Sequence, residues 1–423
     1  MNELTQSVAF ISEHASPLAD LGGVDTGGQN VYVAQLAKGL ANENYRIDVY
    51  TRLEDAATPQ VVDWLPNIRV IHVPAGPPRV LPKEELWQYM PEFRENMLAF
   101  IADQGLEYQL IHANFFMSGW VAAEIKRALN IPFTVTFHAL GYIRRLHQGN
   151  NDKFPEERVA IEQQVAAAAD SVIAECPQDR EDLIMHYQVP PEKITMIPCG
   201  FSQEEFYPIK KKEARQKLQM DPDEPMLLQL GRMVPRKGVD NVVKALGRLK
   251  RGGKNVRLVI VGGESDQPDP QQCPETNRLF RIAQENGIAG QVHFAGRKQR
   301  EMLKYYYAAA DLFITTPWYE PFGITPLEAM ACGTPVIGAN VGGIKYSVLD
   351  GETGALVSPD NPAELADKVN ELIFDAGKLE QFGLNAIDRV NNYFTWAQVT
   401  RKMSRLYQRI VDAALESKLM KAG

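Results

Sequence analysis

The chain counts 423 residues, 45% of them hydrophobic, with 45 Lys and Arg against 53 Asp and Glu for a formal net charge of −8. That length exceeds one ordinary core, so two domains flanking a cleft are expected, and the acidic balance argues against a broad nucleic-acid or acidic-membrane surface. No apolar run approaches the roughly 18 residues of a membrane span, and the amino terminus lacks the ordered basic stretch, apolar core and cleavage site of a leader, so a cytoplasmic protein is expected. Cys176, Cys199, Cys273 and Cys332 are far apart and lack C-x-x-C spacing, which favours reduced thiols over disulfides or zinc.

In chain order, apolar β-rich runs read as strands at 8–13, 46–51, 68–73, 109–113, 133–137, 171–174 and 194–198, with helical patterns between them. Continuous apolar strands alternating with helices are the mark of a doubly wound, mostly parallel sheet covered on both faces. The pattern restarts with strands at 226–230, 257–261, 292–294, 312–315 and 335–337, giving a second Rossmann-like half. Prolines, charges and aromatics mix in PCGFSQEEFYPIKKKEARQ, so the division is set near Pro208. The expected domains are 1–207 and 208–395, with a closing helix over 396–423 that can pack back on the first.

Residues 20–33, DLGGVDTGGQNVYV, place four glycines before a helical pattern in which Val33, Leu36, Ala37 and Leu40 share one face. Gly27, Gly28 and Gln29 therefore stand at a helix amino terminus, where free N–H groups and the helix dipole favour phosphate. The same glycines also suit a tight turn needing positive φ. The spacing matches neither G-x-G-x-x-G nor the Walker pattern.

LLQLGRMVPRKGVDNVV brings Arg232 and Lys237 to the start of another helix near Gly238, a pairing that suits a diphosphate or, more plainly, a solvated basic turn. WYEPFGITPLEAMACG carries two carboxylates, Glu320 in a loop and Glu328 on a helix. Thr325 to Glu328 reads as a capping box with Pro326 at the first helical position, a purely structural use for Glu328.

Taken together, TGGQ, His138 after a strand, GR-x4-KG and E-P-F-G-x-T-x-L-E-A resemble the retaining sugar-nucleotide glycosyltransferases of family 4 along nearly the whole chain. The resemblance implies the GT-B fold, two Rossmann-like doubly wound domains facing an interdomain cleft, with the acceptor in the first and the nucleotide sugar in the second. It implies that Gly27 and Gly28 touch donor phosphate and acceptor, that Arg232 and Lys237 hold the diphosphate, and that Glu328 holds the ribose. Glu320 would meet the donor sugar near O3, the backbone of Phe322, Gly323 and Ile324 would complete the donor contacts, and Arg297 would lie at the base. His138 would stand beside the donor sugar at the reacting face. No metal or other cofactor is expected, because two cations serve the diphosphate.

Within the family, SPLADLGGVDTGGQNVYV resembles both sucrose-phosphate synthases and the transferases that move N-acetylglucosamine to inositol phosphate. Both use phosphorylated acceptors. Lys83, Thr136 and Arg158 match the positions that grip the acceptor phosphate, with Gly28 and Gln29 beside them, while Phe115 stands where the inositol-phosphate enzymes have a tyrosine and cannot hydrogen-bond a phosphate. Arg144, Arg145 and Lys153 form either further contacts or an exposed basic loop. The expected reaction moves glucose from UDP-glucose to fructose 6-phosphate, with a separate sucrose-phosphate phosphatase as partner. Sucrose synthase, N-acetylglucosamine transfer to inositol phosphate, a GT-B phosphorylase and a nucleotide-sugar-sensing protein are the alternatives.

Overall fold

A computed structural model describes residues 6–19, 27–263, 265–268 and 273–422. The first sheet contains β1 (Ser7–Ile11), β2 (Arg46–Arg52), β3 (Val61–Leu65), β4 (Ile68–Val73), β5 (Leu110–Asn114), β6 (Phe133–Thr136), β7 (Ser171–Ala174) and β8 (Ile194–Met196). Their order is β3-β4-β2-β1-β5-β6-β7-β8, and every pairing is parallel except β3 with β4. Only β3 escapes the sequence reading, because VVDWL is a partly exposed edge strand without a continuous apolar run. Chain order reverses at β1, which has β2 on one side and β5 on the other. The carboxyl ends of β1 and β5 therefore flank the crevice where open α/β sheets bind ligands.

Strand alternation sends side chains to two layers. On one face Ile111, Val135 and Phe137 join Phe116, Ile161 and Val165 of the helices Phe116–Leu129 and Arg158–Ala168 in one apolar cluster. Each such buried side chain contributes about 1.5–3 kcal/mol. The other face carries the helix Gly28–Asn42 and the long helix Trp396–Ala422. The latter is tied down by polar contacts: Tyr45 Oη lies 3.0 Å from Ser404 Oγ, and buried His112 places Nδ1 2.5 Å from Tyr407 Oη and Nε2 2.9 Å from Thr136 Oγ1.

Burial holds His112 down at about 3, against an ordinary value of 6.5, with the nearby His138 adding to the effect. The unfolded chain then binds this proton more readily between those values, so stability contributed by neutral His112 is lost as pH falls from 6.5 toward 3. The expected result is that wild type exceeds His112→Gln in stability at neutral pH and that the gap narrows over this window in urea melts.

The second sheet holds β9 (Met226–Leu230), β10 (Arg257–Val261), β11 (Val292–Gly296), β12 (Leu312–Thr315), β13 (Val336–Ala339) and β14 (Gly354–Val357). All pairings are parallel, in the order β11-β10-β9-β12-β13-β14. The short β14 is the strand sequence reading omits; its opening glycine hides it.

Two compact units follow from these sheets: among the described residues, those up to 198 together with the helix from Trp396, and residues 199–395. The parting lies ahead of Pro208, where sequence reading set it. The linker already belongs to the second unit, since Phe201 N donates to Phe394 O at 2.9 Å and Phe206 packs edge-on to Tyr307. Among the described residues no helix is long and apolar enough to cross a membrane, and the cysteines are free thiols.

Candidate active site

In the first unit the helix after β1 starts at Gly28, with Gly27 as its cap and Gly27 N donating to Asn30 Oδ1 at 2.9 Å. Gly27 has φ −175°, extended backbone, so no left-handed turn is needed there. Residues 20–26 of the glycine loop lie outside the described residues. Gln29 Nε2 donates to Ser12 Oγ and to Asn114 O, both at 3.3 Å, and so joins the ends of β1 and β5.

Two non-glycine residues of positive φ end adjacent strands: Phe115 (88°) after β5 and His138 (57°) after β6. Such conformations cost on the order of 1–3 kcal/mol each and gather where ligands bind. Phe115 N donates to Thr136 O at 2.9 Å, which holds the strained residue against β6. His138 Nε2 lies 3.0 Å from Asn114 Oδ1, Nδ1 lies 3.3 Å from Glu175 Oε1, and Tyr32 packs edge-on to the ring. Nearby Asp179 is pushed up to about 8 by burial and by the charge of Glu175.

Arg158 is almost completely buried. Its Nε donates to Glu162 Oε1 at 2.8 Å and its Nη2 to Ala139 O at 2.5 Å, while Phe115, Phe116 and Phe154 enclose the guanidinium. Nη1 is buried without a hydrogen-bond partner. Lys83 begins a short helical turn, Lys83–Glu85, whose Glu84 pairs with Arg144, and Arg144 in turn stacks on Phe154. Lys83, Arg144 and Arg158 thus share one neighbourhood.

Thr136 corrects the expected phosphate set. It faces the opposite side of the sheet, fully buried, with its hydroxyl shared between His112 Nε2 and Tyr32 Oη (3.4 Å). Period-2 alternation explains this: Val135 and Phe137 point toward the Arg158 layer, so Thr136 cannot. Arg145 is spent on the carbonyls of Pro155 and Glu156, and Lys153 is exposed.

In the second unit Lys237 closes the short turn Pro235–Lys237 after β9, and Gly238 caps the helix Val239–Arg251 at φ 65°. A Cβ at Gly238 would stand 2.0 Å from Thr316 O. Gly238→Ala is therefore expected to destabilise the fold by more than about 1 kcal/mol, read as a lower urea midpoint. The Lys237 ammonium donates to Glu320 Oε2, and Arg236 Nη1 lies 4.0 Å from the same oxygen. Glu320 is not the solvated loop carboxylate that its position allows.

Burial lowers Lys237 to about 8 even though Glu320 pulls the other way, and the charges of Arg236 and Arg232 add to the lowering. For Glu320 burial raises the carboxyl, but Lys237, Arg236 and Arg232 together bring it below its ordinary value. Three cations act on one carboxylate, leaving an excess of positive charge at the carboxyl end of β9. Such a cluster suits an anion. Sequence reading names Arg232 and Lys237 but misses Arg236, which sits between them.

The loop bearing Glu320 is seated by a second glycine pair. Gly343 N donates to Glu320 O at 3.2 Å, and at Gly342 (φ 44°) a Cβ would stand 1.9 Å from that oxygen. Phe322 is buried near Phe394, Gly323 caps the helix Ile324–Ala331 at φ 90°, and Ile324 is its first residue. The expected capping box is therefore absent: Gly323 is the cap, and Pro326 falls at the third helical position. Glu328 instead takes the Tyr307 hydroxyl at 2.9 Å and Arg300 Nη1 at 3.2 Å. Burial raises Glu328 despite Arg300 and Tyr307, which pull it down. Arg297 follows β11; its N–H donates to Ser265 O at 2.8 Å and its side chain pairs with Asp266.

Residues 26–205 match the Glycosyltransferase Family 4 model and residues 210–389 the Glycosyl transferases group 1 model. The chain belongs to this family and is a glycosyltransferase of GT-B type. It is 33% identical to D-inositol 3-phosphate glycosyltransferase 2 of Catenulispora acidiphila over 97% of either chain. With the D-inositol 3-phosphate glycosyltransferase of Corynebacterium diphtheriae it shares 31% identity over 97% of this chain and 96% of that one. Among solved structures it is similar to a sucrose-phosphate synthase from Thermosynechococcus elongatus, at 34% identity and a TM-score of 0.89, covering 96% of this chain and 100% of that one.

Proposed function

We propose that the protein transfers glucose from UDP-glucose to fructose 6-phosphate with retention of anomeric configuration, giving sucrose 6-phosphate and UDP. The observation that carries the donor half is the excess of positive charge at Arg232, Arg236 and Lys237 around Glu320. A departing diphosphate gains negative charge, and preformed cations stabilise it without reorganisation. Lys237 leaves Glu320 for the phosphate, which frees that carboxylate for a hydroxyl of the glucose. Arg232 and Lys237 serve the diphosphate without a resident metal, the backbone from Phe322 to Ile324 and the main chain at Arg297 serve the sugar and base, and Glu328 serves the ribose. In the step itself the acceptor oxygen bonds to the anomeric carbon on the face from which UDP leaves, and its proton passes to the departing phosphate oxygen. His138, held by Asn114 and Glu175, serves the reacting face of the sugar.

The acceptor half rests on Arg158, whose buried Nη1 lacks a partner, with Lys83, Gly28 and Gln29 nearby in the same unit. Phe115 weighs against inositol phosphate, because it stands where the inositol-phosphate enzymes have a tyrosine, and its ring, stacked on Arg158, cannot supply that tyrosine's hydrogen bond. Similarity to the solved sucrose-phosphate synthase supports the same choice. The second reading, N-acetylglucosamine transfer to inositol phosphate, is favoured by the names of the relatives. Offering UDP-glucose and UDP-N-acetylglucosamine together with both phosphorylated acceptors, and weighing the products by mass spectrometry, separates the two. Sucrose phosphate as the main product supports the first; an N-acetylglucosaminyl inositol phosphate replaces it with the second.

A further inference from the structure

Arg300 is the first residue of the helix Arg300–Ala309, a place where a cation opposes the helix dipole. Two carboxylates from elsewhere in the second unit answer it. Its Nε donates to Glu205 Oε2, and its Nη1 lies 3.2 Å from Glu328 Oε1. The guanidinium also lies over the face of Phe206, 4.9 Å from the ring centre, and that ring packs edge-on to Tyr307. Phe206 N donates to Ser202 O at 2.9 Å, so a closed turn of the linker seats the ring. Nη2 is buried without a hydrogen-bond partner. An unsatisfied buried donor is unfavourable, so the fork is held for its two carboxylates rather than for its own bonding.

Tyr307 gives its hydroxyl to the other oxygen of Glu328, Oε2, at 2.9 Å. Each carboxylate oxygen of Glu328 therefore has one fixed donor and, with two lone pairs per oxygen, room for one more. Two neighbouring hydroxyls on one ring fill such a pair of places. Burial raises the Glu328 carboxyl, Arg300 is the largest influence opposing it, ahead of Tyr307, and the charge of Glu205 adds to the rise. The remaining titratable neighbours are neutral or engaged: burial raises Tyr307 and the Cys332 thiol, and Lys304 donates to Tyr207 Oη at 2.8 Å.

We propose that Arg300 is a positioning residue for the donor nucleotide, holding the Glu328 carboxylate in place to receive both ribose hydroxyls, and that it thereby sets a preference for ribonucleotides over deoxyribonucleotides. The inference rests on the reading of Glu328 as the ribose ligand. Glu205 fixes the other end of the fork, so the linker ahead of the second sheet takes part in nucleotide selection.

The test is calorimetric binding of UDP, 2′-deoxy-UDP and 3′-deoxy-UDP, which needs neither a sugar nor an acceptor. The wild type is expected to prefer UDP about tenfold, with a preference constant through the neutral pH range. In Arg300→Met the UDP Kd is expected to rise about tenfold, the difference between hydrogen bonds to an ionised and to a neutral carboxyl. The preference for UDP over the deoxy forms should vanish with it and return as pH rises and Glu328 ionises. Arg300→Lys keeps the charge without the fork, so it should retain part of the preference and show no such pH dependence. A UDP Kd within about twofold of wild type in Arg300→Met, the scale of an ordinary surface change, overturns the proposal, as does an undiminished preference for the ribose. If Arg300→Met fails to fold, Arg300→Gln, which keeps a donor and lacks the charge, is held to the same two criteria. A wild type that binds all three nucleotides equally removes the ribose reading of Glu328 and the proposal with it, whereas discrimination that survives in the variants removes the proposal alone.

Discussion

Lys237→Ala is expected to lower kcat/KM for the nucleotide sugar by about 10² to 10³, the scale for losing one preformed charge at a leaving group, while the fold persists. The fold survives because Glu320 is not left bare: Arg236 stands 4.0 Å away and the charge of Arg232 also reaches it. Burial already brings Lys237 down to about 8, so its removal relieves a desolvated cation. The pH dependence follows. In the free enzyme the ammonium is lost as pH rises through about 8, so kcat/KM for the donor should fall above that value. Lys237→Arg, which stays charged, should remove this alkaline limb. An unchanged rate in Lys237→Ala, or an alkaline limb that survives in Lys237→Arg, contradicts the assignment.

Arg158→Leu is expected to cost about 3–5 kcal/mol of stability, the range for removing one partner of a buried ion pair. Glu162 is fully buried and serves two groups besides Arg158 Nε: Gly141 N reaches both carboxylate oxygens, at 3.1 and 2.9 Å, and the Tyr187 hydroxyl donates at 2.6 Å. Without the guanidinium its charge has no partner cation, and the cage of Phe115, Phe116 and Phe154 loses its centre. Equilibrium denaturation measures the loss. The double variant Arg158→Leu, Glu162→Gln should recover part of it by removing the stranded charge. A single variant within 1 kcal/mol of wild type, an interval well below that range, contradicts this account.

Strand apolarity and its restart after residue 226 made both sheets legible, because parallel strands buried on two faces need continuous Val, Ile and Leu. What escaped was local: β3 is an exposed edge, and β14 begins on a glycine. In the site, Lys237 and Glu320 were readable as motif residues, but not their pairing, which depends on a loop seated by Gly342 and Gly343 far along the chain. Thr136 was misread because matching local context carries no information on which sheet face a residue points to. Glu175 left only one signal, a carboxylate placed where a buried strand ends.

The most direct measurement is the product formed from UDP-glucose and fructose 6-phosphate by the purified protein in EDTA, followed by phosphatase treatment and NMR. Stoichiometric UDP and sucrose are expected, with the glucose anomeric centre in the α configuration of the donor. UDP release that is independent of fructose 6-phosphate, an inverted product, or transfer to inositol phosphate alone would contradict it.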